Sequence, residues 1–161
     1  MRVKILFDVV DDWHKNSTET VWAIANDDGT YSIENVPFFA RDVSNQDVVS
    51  AKPMPEFKLA NSDARVFEFC EVISRGGHST YRVPPSVENF PDFPQNEFIA
   101  VVEKLKDLKC VVEMGQVGLL PLAAIDVPAS VDADEIYSFL KSEESKGGVV
   151  FQLAHDGHPS E

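Results

Sequence analysis

If this chain performs chemistry, its best candidates lie in one octet, Arg75-Gly76-Gly77-His78-Ser79-Thr80-Tyr81-Arg82. A serine beside a histidine suggests a nucleophile with its general base. The segment has strand character, however, and adjacent side chains on a strand point to opposite faces. His78, Thr80 and Arg82 then share one face, while Ser79, Tyr81 and Val83 share the other. A Ser79–His78 dyad is therefore disfavoured. Two readings remain. One is a polar cluster of His78, Thr80 and Arg82, the basis for any enzyme hypothesis. The other is a hinge, in which two glycines free the backbone and His78 hydrogen-bonds nearby.

Other constellations exclude more than they suggest. Neither GxxxxGK[ST] nor GxGxxG occurs, so the common phosphate-cradling loops are absent. His155-Asp156-Gly157-His158 offers two histidines without a third ligand nearby and is expected to be a solvent-exposed turn. Asp11-Asp12 and Asp27-Asp28-Gly29 lack the spaced oxygen ligands and distal glutamate of a calcium loop. No metal and no cofactor is expected. Trp22, Phe38 and Phe39 could line a groove, although aromatics among strand residues are more often core. Cys70 and Cys110 lie in apolar stretches with no partner in sequence, the pattern of two buried reduced thiols.

The hydrophobic pattern supplies the elements that would hold these residues. Alternation over 2–10 and 19–25 predicts strands, and Asp28-Gly29 before Tyr31 predicts a hairpin. Further strands are expected at 47–51, 56–60 and 64–74. After Gly76-Gly77 the pattern changes. A strand at 79–83 precedes a helix over 96–109, whose Phe98, Val101, Val102, Leu105 and Leu108 fall on one face, with Asn96 as N-cap. Strands at 110–114 and 119–127 follow. Asp132 with Glu135 resembles a capping box, opening a helix that Gly147 stops, and a last strand covers 149–154. The fold class is α+β. A small antiparallel β barrel or sheet occupies 1–77, and a βαββαβ ferredoxin-like unit occupies 78–161.

Length and charge bound the partners. The 161 residues suit one ordinary domain or two very small ones. No apolar run approaches the roughly 18 residues of a spanning helix, and the N-terminus has no signal-peptide pattern. Lys and Arg number 14 against 27 Asp and Glu, a net charge of −13 spread over both halves. That argues against nucleic acid and anionic membranes, which demand basic surface. It is compatible with a solubility role or with a basic protein partner.

Several segments together resemble a bacterial family of this length, the DUF4265 family, a domain of unknown function. They are Glu19-Thr20-Val21-Trp22-Ala23, Asp28-Gly29-Thr30-Tyr31, Asn35-Val36-Pro37-Phe38-Phe39-Ala40, Asp47-Val48-Val49-Ser50-Ala51 and Gly77-His78-Ser79-Thr80-Tyr81-Arg82. Cys110-Val111-Val112-Glu113 and Ala124-Ile125-Asp126-Val127-Pro128 extend the likeness over about residues 19–130. Two places depart from the family pattern: Gly76 stands where a serine is usual, and Asn45-Gln46 where a glycine usually precedes the aspartate. The resemblance implies a bacterial origin and a cytoplasmic location, and brings no reaction with it. Binding candidates are Trp22, Asn35, Phe38, Phe39, Arg75, His78, Thr80 and Arg82. The leading expectation is an immunity protein that binds and neutralises a basic toxin domain. The alternatives are a small-ligand or regulatory module and an enzyme using His78, Thr80 and Arg82.

Overall fold

The computed structural model describes residues 1–9, 16–84, 95–117, 120–147 and 149–158. Their strands are β1 (Arg2–Asp8), β2 (Thr18–Ala25), β3 (Tyr31–Ile33), β4 (Val48–Pro53), β5 (Val66–Ser74) and β6 (Ser79–Val83). Then come α1 (Gln95–Asp107), β7 (Val111–Val117), β8 (Leu120–Val127), α2 (Ala133–Ser145) and β9 (Gln152–His155). The class is mixed α+β, mostly strand. No described helix is long and apolar enough to cross a membrane.

Strands β1 to β5 form a closed barrel in sequence order. Consecutive pairs are antiparallel. Five strands that alternate in direction must close with a parallel pair, and β1 accordingly meets β5 with Ile5 opposite Phe67. Alternation sends Val3, Ile5 and Phe7 inward, against Val21, Ala23, Ile33, Val49 and Phe67. Gly29 takes the positive φ (+83°) of the β2–β3 turn, and the Asp28 carboxylate accepts the Thr30 amide at 3.0 Å. Register shifts at Val48/Val49 and Ser50/Ala51 kink β4 against β5 and help the sheet curl.

Two expectations fail here. Residues 56–60 make no strand: an isolated bridge joins Leu59 to Ser62 instead. Cys70 is exposed rather than buried. Phe67 and Phe69 take the inward positions of β5, with Phe69 stacked on Phe7 at 4.6 Å, so the residue after them points outward.

The second sheet has the order β7-β8-β6-β9, antiparallel throughout. Both helices pack on one face of it. Phe98, Val101, Val102 and Leu105 of α1 share a core with Ile136 and Leu140 of α2 and with Tyr81, Val83, Ala123, Ile125 and Val127. Phe139 is only partly buried against that core. Asp132 caps α2 as expected, accepting the amides of Asp134 (2.9 Å) and Glu135 (3.2 Å). Gly147 at φ +75° follows the helix. The expected Asn96 cap falls where side chains lie outside the described residues, as does Gly118 in the turn between β7 and β8.

Candidate functional site

All five residues of β6 are buried, because the strand serves two cores at once. Tyr81 and Val83 face the helices. Thr80 and Arg82 face the barrel, where the loop over residues 40–47 meets them. The Thr80 hydroxyl lies 2.6 Å from that of Ser44, and Arg82 Nη2 donates to the Ala40 carbonyl. On β8, Asp126 is 1% exposed; its Oδ1 lies 2.8 Å from His78 Nδ1, and its Oδ2 accepts the Asn45 side-chain amide at 3.0 Å. Buried Asp47 holds the same loop from within. Its Oδ2 accepts the Ser44 amide (3.0 Å) and Arg75 Nη1 (2.9 Å), while Oδ1 accepts the Gly76 amide (2.9 Å). Arg75 Nη1 also donates to the Asp42 carbonyl at 2.7 Å.

An imidazole oriented by a buried carboxylate can accept and deliver protons. Here its neighbours are sealed: Thr80 is 0% and Arg82 2% exposed. The serine is engaged elsewhere. Ser79 Oγ lies 2.7 Å from His158 Nδ1 and accepts the amides of Gly157 (3.0 Å) and His158 (3.3 Å). His158 Nε2 is 3.1 Å from the carbonyls of both Pro128 and Val131. Carbonyls only accept, so Nε2 carries a proton, and the Ser79 hydroxyl faces both Nδ1 and Asp156 Oδ1 (3.3 Å). The 155–158 segment is thus a clasp on the start of β6, not the solvent-exposed turn the sequence suggested. His155 beside it has its Nε2 buried without a hydrogen-bond partner. Burial, and then the Arg75 charge, push its pKa below the ordinary value.

The candidates from the first half lie apart from this cluster. Trp22 stands on the outer wall of the barrel, with Lys4 Nζ 4.0 Å and the Arg2 guanidinium 4.7 Å from its ring. Asn35 is a backbone fastener: its Oδ1 accepts the Trp22 amide at 2.6 Å. Phe38 lies on β7, where a Cβ at Gly115 would fall 2.9 Å from the ring, so only glycine fits without displacement. The amides of Phe38, Phe39 and Ala40 all donate to the Glu19 carboxylate, at 2.6, 2.9 and 2.8 Å. The structure therefore gathers Arg75, His78, Thr80 and Arg82 in one cluster and leaves Trp22, Asn35, Phe38 and Phe39 outside that cluster, Phe38 bridging separately from the barrel to β7. Sequence reasoning missed Glu19, Ser44, Asn45, Asp47 and Asp126. Asp126 alone carried a signal, as one charge inside Ala123-Ala124-Ile125-Asp126-Val127.

The sequence profile of the domain of unknown function DUF4265 matches residues 19–151. The chain belongs to the DUF4265 family. No curated protein matches it. The fold of this DUF4265 chain is similar to that of a hypothetical protein from Neisseria gonorrhoeae, described as a novel crystal structure. The TM-score is 0.66 at 18% identity, covering 99% of this chain and 98% of the other. At that identity the likeness concerns the fold alone.

Two clefts lie away from the DUF4265 junction. One, of about 210 Å³, is lined by Pro53, Pro55, Phe57, Lys58, Arg65 and Phe67 at one end of the barrel. The other is an open groove at Met114, Gly115, Gln116 and Pro121. None of the eight candidate residues lines either cleft, although Phe38 packs on Gly115 of the second. Among the described residues, no group of three His, Cys, Asp or Glu could hold a metal ion.

Proposed function

We propose that this DUF4265 protein is a cytoplasmic binding module that recognises a basic protein, in the manner of a bacterial immunity protein neutralising a toxin domain. The observation that carries the reading is the use made of the polar residues. Thr80 and Arg82 tie the sheet to the barrel loop through Ser44 and Ala40, Asp126 reaches Asn45 of that loop while its other oxygen meets His78, and Arg75 braces the loop through Asp47. Groups spent on the fold leave function to the surface, whose general property is a net charge of −13. Such a surface attracts basic proteins and repels nucleic acid and anionic membranes. The small-ligand alternative is less favoured: the cleft of about 210 Å³ falls below the roughly 300 Å³ at which ligand pockets begin, and the groove of about 510 Å³ at Met114, Gly115, Gln116 and Pro121 lies open to solvent and would bury little of a ligand. The βαββαβ order, with both helices on one face, favours a ferredoxin-like reading of the second sheet.

The test is co-expression with the products of adjacent genes, followed by stopped-flow mixing of any pair that forms. We expect growth rescue from a basic neighbour and an association rate that falls as salt rises, since opposite charges act over about 8 Å at physiological ionic strength. Absence of binding to every neighbouring product would overturn the reading.

A further inference from the structure

We propose that the basic partner docks where α2 meets β9, on an apolar patch of Tyr137, Phe151 and Leu153 rimmed by Asp134 and Asp156. This surface rests on the binding reading above and specifies it. Two helices over a four-stranded sheet cover the central strands β8 and β6 and leave an edge strand flanked on one side only. Tyr137 is consequently 47% exposed and Leu153 49%. Phe151 joins them: its ring centroid is 6.0 Å from that of Tyr137, edge to face, and 6.0 Å from that of Tyr81, opposite which Leu153 sits in the sheet. Phe151 thus contacts Tyr137 directly and shares the buried Tyr81 as a neighbour with Leu153.

Its rim is anionic. Asp134 precedes Tyr137 by one helical turn, and Asp156 follows Leu153 by three residues. After burial, the charges of Asp156 and Asp134 both contribute to pushing the Tyr81 hydroxyl up to about 12. Lys141, 5.8 Å from the Phe151 ring, is paired with Glu144 at 2.7 Å. An apolar centre inside a negative rim fits a segment that presents an aromatic or aliphatic anchor between lysines or arginines. A second copy would bring the same carboxylates against these, at −13 per chain, and is disfavoured.

The probe is a synthetic peptide alternating lysine with leucine and tryptophan, titrated into the ¹⁵N-labelled full chain, with its glutamate counterpart as control. We expect amide shifts centred on Tyr137, Phe151 and Leu153 with the lysine peptide only. Tyr137→Ser with Leu153→Ser should weaken binding about tenfold or more, and Asp134→Asn with Asp156→Asn should remove its salt dependence. The first pair is exposed, and an unchanged far-UV spectrum verifies its fold. Shifts centred elsewhere, no shifts, or concentration-dependent dimerisation through the patch would each overturn this surface. Growth rescue that survives loss of the patch would also overturn it while leaving the binding reading intact; failure of rescue by the unaltered chain tells against that reading instead.

Discussion

Removing the Asp126 carboxyl strands two partners at once, because one oxygen meets His78 and the other Asn45. Asp126→Ala should cost about 2–3 kcal/mol in urea denaturation, the scale of leaving buried hydrogen-bond partners unsatisfied; a loss under about 1 kcal/mol would show that the junction is held elsewhere. His155 carries a pH dependence. Its folded pKa lies below the ordinary 6.5, so as pH falls the unfolded chain takes the proton first. Its contribution is complete above about 6.5 and is lost as pH falls through the folded value. His155→Gln should therefore flatten the stability profile between about pH 7 and pH 5 relative to the unaltered chain. Parallel profiles would contradict this. The cysteines differ in the same way as their surroundings: Cys70 is exposed, whereas burial pushes the Cys110 thiol up to about 12. A thiol reagent at neutral pH should titrate one group in the native protein and two after unfolding. His78 stood out in the sequence because histidine is rare there; the acid that orients it lies 48 positions away, and no local pattern reports such a pairing.

The loop over 40–47 meets the β5–β6 connection at a point too tight for a side chain. A Cβ at Gly76 would lie 2.6 Å from the carbonyl carbon and oxygen of Gln46, itself at φ +68°. Gly76→Ala should cost about 1–3 kcal/mol by overpacking, whereas Gln46→Gly should stabilise by about 0.5–1 kcal/mol by relieving the left-handed backbone. Both are read by chemical denaturation, and a neutral Gly76→Ala would mean that the loop yields freely. Strand and helix positions were otherwise readable, because period-2 and period-3.6 patterns are local. The failures have local causes too. The 56–60 segment alternates but has only Ser62 as a bridge partner for Leu59. In β5, apolar residues on both faces hid which side Cys70 takes.

Barrel and sheet are joined through buried polar contacts, so neither half keeps its groups satisfied alone. The tryptophans, Trp13 and Trp22, belong to the first half of the chain and both helices to the second. Tryptophan fluorescence and helical circular dichroism should accordingly trace one urea transition with a common midpoint. Separate midpoints would mean that the junction holds two independent units together. The parallel closure of the barrel sets the order of assembly on the ribosome. β1 is made well before β5, since its partner at Phe67 lies 62 residues beyond Ile5. Until β5 emerges, the nascent chain can form only the β1-to-β4 meander, open at both margins and with its apolar inner face unsealed. Contacts so distant in sequence form late and slowly. The vulnerable period of this protein is therefore its synthesis, and chaperones that shield exposed strands should engage it between the emergence of β1 and that of β5.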